Sequence, residues 1–383
     1  MLLGVTLEAQ QPADQARAAV DRAVEEGIAA GVYPAAVVVI GRHDGVIYQR
    51  GYGHFTWSPD SPVPDPDSSL FDLASLTKVV ATLPAVMKLV EAGAVDLDRP
   101  VQHYLPEFRG PGKEAVTVRH LLAHTSGLRA FLPLNELTSD AEAARRRVLE
   151  EPLRWRPGSR VEYSDLNAML LGWIVEAVSG STLDRYVGEI HRELGMHHTM
   201  FNPPRSLWKR VVPVGVWRGT PVAGTVHDQN AARLGGVAGH AGLFGTGKDL
   251  ARYARSLLAV LRGAECGLWS RSTVELFTRV AAGNRALGWE LNDTTTADNS
   301  GSLLSPAAFG HTGFTGTLIW IDPPADLFVV FLTNRVYSPR IARSISKLKE
   351  IRARVTDAAV ALRGALPVAA RGGRGPALGA DCR

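Results

Sequence analysis

Ser75-Leu76-Thr77-Lys78 is followed in order by Tyr163-Ser164-Asp165 and His311-Thr312-Gly313. A fold that uses all three motifs must draw together segments lying far apart along the chain. Ser-x-x-Lys by itself says little, since seven lysines give four matches, at Ser75, Ser206, Ser344 and Ser346. Tyr-x-Asn/Asp and Lys/His-Thr-Gly each occur once, and only the match at Ser75 precedes both. The order matters because a serine hydroxyl is a weak nucleophile at neutral pH. It needs a base, an oxyanion site and a wall that holds the substrate.

These needs assign roles. The apolar spacing from Leu76 to Ala92, with Gly93 as a stop, predicts a helix with Ser75 near its N-terminus, where free N–H groups favour negative charge. Ser75 and Lys78 then share a helix face. An ammonium cannot accept a proton, so Lys78 acts as a base only if its surroundings bring its pKa from about 10.4 towards roughly 7–8. Tyr163 is the second proton carrier, able to relay the serine proton to a leaving group and later to activate water. His311-Thr312-Gly313 precedes a predicted strand and forms one edge of the cleft. Gly313 permits close approach of substrate, and the N–H groups of Ser75 and Phe314 are the expected oxyanion donors.

Composition narrows the remaining classes. A chain of 383 residues, 45% of them hydrophobic, can bury a large core and is long enough for two domains. Lys+Arg at 42 nearly balance Asp+Glu at 38, and part of the basic excess falls in a Gly, Ala, Pro and Arg-rich tail, so no nucleic-acid partner is expected. Cys266 and Cys382 are the only cysteines, which leaves no disulfide framework or cysteine-rich metal site. The longest apolar runs, 35–40 and 327–332, are too short to span a bilayer as helices, so no transmembrane segment is expected. The first residues lack a basic leader and are too short for a full secretory signal. A periplasmic or extracellular location is expected if the true start lies upstream, and a cytoplasmic one otherwise.

Along the chain, Ala13 to Ala30 has helical spacing. Two β-branched runs, 35–41 and 46–53, flank the turn signal His43-Asp44-Gly45. Helices are expected at 118–122, 141–149, 167–178, 183–194, 248–261 and 340–362, and strands at 317–321 and 327–333. Asp165 has a structural alternative as the cap of the helix near Asn167. Gly242 to Lys248 fits a phosphate-loop pattern, but Asp249 stands where Ser/Thr is needed and no strand clearly precedes it. His120 and His124 lack the intervening Glu of a metalloprotease helix and are read as packing or capping residues. His227, Asp228 and His240, in glycine-rich loops, are read as loop braces, with substrate contact as the alternative.

With these residues in view, the chain from about Ala16 to Leu362 resembles the serine β-lactamase and penicillin-binding-protein superfamily. The resemblance is strongest to class C β-lactamases and their DD-peptidase and esterase relatives. It extends to His120-Leu121-Leu122-Ala123-His124-Thr125-Ser126-Gly127-Leu128, Pro157-Gly158, Leu170-Leu171-Gly172, and the segments Val226 to Ala231 and Gly239 to Phe244. It implies an α+β fold of the β-lactamase/transpeptidase type, an antiparallel sheet flanked by helices with an inserted all-helical domain. Residues 12–68 and 284–363 would form the sheet-and-helix domain and 69–283 the helical domain, with 364–383 a disordered tail. By position, Ser75 is the acylated nucleophile, Lys78 and Tyr163 the proton-transfer pair, and Asp165, His311, Thr312, Gly313 and Phe314 the substrate-binding residues.

Two departures shape the expected activity. Asp165 replaces the usual Asn, so when ionised it cannot donate to a substrate amide and it favours the charged form of Lys78. His311 replaces lysine and is only partly cationic at neutral pH, so it holds a substrate carboxylate less firmly. The expectation is a serine hydrolase without metal or cofactor, acting on acyl-D-amino acid or peptidoglycan-type peptides or small esters. The alternatives are a β-lactamase proper and a non-catalytic peptidoglycan-binding or sensor module. The expected partner is a small-molecule or peptide substrate; the oligomeric state stays open, with a monomer expected.

Overall fold

The computed structural model describes residues 3–264, 267–293, 300–337 and 345–366. Its centre is a six-stranded antiparallel sheet made from β1 (Ala35–Arg42), β2 (Gly45–Gly53), β3 (Glu290–Leu291), β4 (Phe309–Thr312), β5 (Leu318–Asp322) and β6 (Leu327–Thr333), in the order β2-β1-β6-β5-β4-β3. The inner strands read as continuous apolar runs because both faces of the sheet are covered. Val37 and Val39 of β1 and Val330 and Leu332 of β6 join the core on the side that carries Ser75. Their alternating neighbours Val38, Ile40, Val329 and Phe331 join the second core, built with α1 (Leu3–Ala29) and α5 (Ile345–Ala365).

The Ser75 side carries α2 (Leu83–Glu91), α3 (Asp165–Ser179), α4 (Gly247–Leu261) and several shorter helices. The helix expected over 248–261 as part of the helical domain instead packs across β1 and β6. The insertion is also not purely helical. Strands Phe71–Asp72, Met200–Phe201 and Leu243–Gly245 form a small antiparallel sheet, and Gly215–Trp217 pairs with Thr220–Val222. These strands are two or three residues long, too short to show an alternating pattern in sequence.

Other differences have local causes. The helix at the N-terminal end begins at Leu3, well before Ala13. The last helix continues through Gly364 to Ala365, so the tail reading fails for those residues and lies outside the described residues from 367 onward. His311-Thr312-Gly313 precedes β5 as expected, but His311 and Thr312 also lie in a strand of their own, β4, opposite Ile319 and Leu318. Gly310 hides that strand from a propensity reading, yet a Cβ there would meet Ile319 O at 2.4 Å and the Trp320 ring at 2.5 Å. No single helix among the described residues is long and apolar enough to cross a membrane; the bent pair Asp165–Ser179 and Leu183–Glu193 passes on length and composition only.

Candidate active site

Ser75 does not sit on the first turn of a regular helix. The span expected to be one helix is divided into a 3₁₀ turn at Ala74–Leu76, a π turn at Lys78–Thr82, and α2 with Pro84 in its first turn. Wide turns of this kind recur at functional positions. Ala74, immediately before the serine, has φ 47°, a left-handed conformation that costs a non-glycine residue energy. Its N–H donates to Asp72 Oδ1 at 2.9 Å. From across the cleft, Thr315 Oγ1 donates to Asp72 O at 2.8 Å and Thr317 Oγ1 to Leu73 O at 3.1 Å.

Lys78 Nζ lies at the junction of the site. It donates to Ser75 Oγ at 3.0 Å and to His240 O at 3.0 Å, and it pairs with Asp165 Oδ1 at 2.8 Å. Its side chain is only 5% exposed and that of Asp165 18%. Burial lowers the lysine's pKa, but the Asp165 carboxylate, followed by Tyr163, outweighs burial and raises it above the ordinary amine range. Asp165 therefore does not cap its helix: it is the first residue of α3, and the preceding Ser164 makes no side-chain cap bond.

Tyr163 packs with its ring 5.0 Å from Lys78 Nζ, and its hydroxyl interacts with both Lys78 and Ser75. Burial raises its pKa while Lys78 pulls it down. The loop that carries Tyr163 is fixed by the segment His120 to Leu128. His124, at φ 56°, packs against Tyr163 with the rings tilted and their centroids 4.8 Å apart. Its Nδ1 accepts from the Ser164 N–H at 3.1 Å and lies 3.2 Å from Asn167 Nδ2, whose amide oxygen accepts from Ser126 Oγ at 2.6 Å. Burial, with Arg285 and Lys78 nearby, drives the His124 pKa well down, so the ring stays neutral as these bonds require. His120 has a capping role instead: it forms a reciprocal capping box with Thr117.

The opposite wall is His311 to Phe314. His311 Nδ1 is 2.8 Å from Thr312 O, so it carries the proton and Nε2 presents a lone pair, buried and without a partner among the described residues. Burial first, then Lys78 and Arg285, lowers its pKa to about 3. The partly cationic histidine expected from sequence is replaced by a neutral one, because two cations and no solvent surround the ring. A Cβ on Gly313 would lie 2.1 Å from Thr317 Oγ1 and 2.7 Å from Leu73 O. Behind this turn, Arg352 Nη2 of α5 donates to Gly313 O and Thr317 O, both at 2.9 Å. Phe314 is 62% exposed at the rim; its carbonyl accepts from Arg335 Nη2 at 2.6 Å, and the His227 ring stacks on its own at 5.6 Å.

The structure thus brings Ser75, Lys78, Tyr163 and Asp165 together, with the His311 ring tilted against that of Tyr163 at a centroid distance of 5.7 Å. His227, Asp228 and His240 form a brace: the His227 N–H donates to Asp72 Oδ2 at 2.7 Å, and Asp228 caps a short helix and meets His240 Nε2 at 3.1 Å. Sequence patterns do not single out Arg285. Its guanidinium lies 5.4 Å from the Tyr163 ring; Nε and Nη1 are buried without hydrogen-bond partners among the described residues, and Glu290 Oε2 stands 3.9 Å from Nη1. It belongs to no motif, and only its spatial position marks it. Among the described residues no group of three or more His, Cys, Asp or Glu side chains is placed to hold a metal.

Comparison with known proteins matches this arrangement to its relatives. Residues 20–352 match the β-lactamase family. A protein of Escherichia coli K12 provisionally named D-alanyl-D-alanine carboxypeptidase is 33% identical over 357 residues, covering 83% of this chain and 82% of its own. Among solved structures, EstCE1, described as a hydrolase with promiscuous acyltransferase activity, aligns over 92% of this chain and all of its own with a TM-score of 0.70 at 21% identity. A penicillin-binding-protein homologue from Caulobacter crescentus aligns over 89% of this chain and 97% of its own, also at 0.70, with 20% identity. At those identities the two structures speak for the fold, while the sequence match carries the family. This chain is a serine hydrolase that belongs to the β-lactamase family.

Proposed function

We propose that the enzyme cleaves acyl-D-amino acid peptides of the peptidoglycan type by a carboxypeptidase reaction, through an acyl-enzyme on Ser75. The observation that carries this reading is the bridging of Ser75 Oγ and Asp165 Oδ1 by Lys78 Nζ, at 3.0 and 2.8 Å. A lysine so paired is a cation at working pH and has no lone pair to offer. A proton shift from Nζ to Asp165 frees that lone pair; it runs uphill from the ion pair, over a single 2.8 Å contact and with no change in the net charge of the site. Lys78 then takes the Ser75 proton as Oγ attacks the substrate carbonyl, and the N–H groups of Ser75 and Phe314 receive the oxyanion. Tyr163 protonates the leaving amine as the C–N bond breaks, and recovers a proton from Lys78. Asp165 returns its proton to the lysine. Water repeats the sequence to release the acid.

Arg285 supports the carboxypeptidase form of the reaction. With His311 neutral, Arg285 is the guanidinium beside Tyr163, and release of its long 3.9 Å pairing with Glu290 would let it meet a C-terminal carboxylate. The name carried by the E. coli relative points the same way. The test is intact-protein mass spectrometry after incubation with acyl-D-Ala-D-Ala peptides, aryl esters and nitrocefin, with Ser75→Ala as control. A peptide-derived adduct on Ser75, absent from the variant, is expected. Turnover of esters or nitrocefin without any of the peptide would assign the enzyme to those substrates, and undiminished turnover by Ser75→Ala would overturn the nucleophile.

A further inference from the structure

Asp72 is a buried carboxylate outside every motif, and the proton path does not use it. Its two oxygens point to different walls of the cleft. Oδ1 accepts from the N–H of Ala74 at 2.9 Å, and Oδ2 from the N–H of His227 at 2.7 Å. Ala74 holds the left-handed turn immediately before Ser75, and the His227 ring stacks on Phe314. The backbone carbonyl of Asp72 also receives Thr315 Oγ1, from the residue after Phe314. One side chain and its own peptide thus connect both expected oxyanion donors.

We propose that Asp72 is a positioning residue that sets the spacing of the oxyanion site, by tying the backbone before Ser75 to the loop that supports Phe314. The proposal rests on the acyl-enzyme reading above. A group used only for stability is hard to reconcile with its surroundings, because burial, opposed by the two N–H bonds, raises the carboxyl pKa to about 6. The carboxylate also faces Asp228, which raises the pKa further. An ionised carboxyl in that position works against stability at neutral pH. What it supplies is two acceptors on one rigid group, aimed at two backbone segments. An amide in its place offers one oxygen and turns an NH₂ towards an N–H donor.

Misplaced oxyanion donors reduce transition-state binding and leave ground-state binding alone. Asp72→Asn is therefore expected to lower kcat for an aryl ester at least ~10-fold with KM within about twofold, and to weaken an arylboronic acid by the same factor as kcat/KM. Its thermal midpoint should not fall below that of the wild type. Wild-type kcat and boronate affinity in a folded Asp72→Asn enzyme would overturn the proposal, as would a loss that appears in KM and the melting temperature instead. If that variant does not fold, Thr315→Val decides the matter by the same kcat, KM and boronate measurements, since it deletes only the hydroxyl bond to Asp72 O. Ser75→Ala, run beside them, separates the two ideas. Activity surviving there refutes the acyl-enzyme reading, whereas an inactive Ser75→Ala beside an unaffected Asp72→Asn refutes the positioning role alone.

Discussion

Replacing Asp165 by Asn removes one charge and little volume, at 2.8 Å from the Lys78 ammonium. At that distance the pair attracts by about 6 kcal/mol for an effective dielectric of ~20 and about 3 kcal/mol for ~40. At about 1.36 kcal/mol per unit, its loss lowers the lysine pKa by roughly 2–4 units. Burial, already the largest single influence and outweighed only by Asp165 and Tyr163 together, pushes the same way. The wild-type lysine stays cationic through the accessible range, so its ionisation should leave no limb in the pH profile. In Asp165→Asn that ionisation should enter the window, and the basic-side optimum should move down. The assay is the pre-steady-state acylation rate with an aryl ester between about pH 6 and 10, repeated with an acyl-dipeptide. Asn also offers a donor that the carboxylate lacks, so the peptide-to-ester ratio should rise by about tenfold or more. Superimposable profiles and an unchanged ratio would show that the ion pair does not control the lysine, and the proton path through Asp165 would fall.

His311, neutral above about pH 3, should leave KM for carboxylated substrates flat between about pH 5 and 8; a rise through the usual imidazole range would contradict its buried state. The unfolded chain takes up a proton there below about pH 6.5 and the native ring does not, so stability is lost as pH falls; His311→Gln should reduce the loss between about pH 7 and 5 by ~2 kcal/mol in denaturant titrations. Arg285→Ala should raise KM for a peptide carboxylate about 10- to 100-fold and leave a neutral ester within about twofold, and equal effects on both would remove its carboxylate role. Gly313→Ala should cut kcat at least ~100-fold, because a Cβ meets Thr317 Oγ1 and Leu73 O at 2.1 and 2.7 Å; near-normal turnover would mean that the turn yields.

That Ser75, Lys78 and Tyr163 would meet in space is legible in the sequence because a serine's chemical needs are few and the motifs that could meet them stand in a fixed order. The strand 327–333 is legible because both its faces are buried and the run is unbroken. The stepped backbone at Ser75 is not, since apolar spacing over 76–92 cannot distinguish a regular helix from one opened by a π turn. Nor are Arg285 and Asp72, whose roles depend on neighbours brought from distant segments. The charge state of His311 was open to misreading for the same reason: residue identity fixes the reference pKa, but Lys78, Arg285 and burial set the actual one.

The anchoring of the Gly313 turn by Arg352 has a consequence for how the enzyme comes into being. Arg352 lies on α5, later in the chain than any of the three motifs, and burial lowers its pKa to about 9 while its guanidinium braces Gly313 O and Thr317 O. A nascent chain whose translated part stops short of that helix already holds the serine, the lysine and the tyrosine, yet lacks the strut behind the substrate wall. If Ser75 is the acylated serine, a ribosome-bound intermediate should be poorly labelled by acylating probes until α5 has left the exit tunnel.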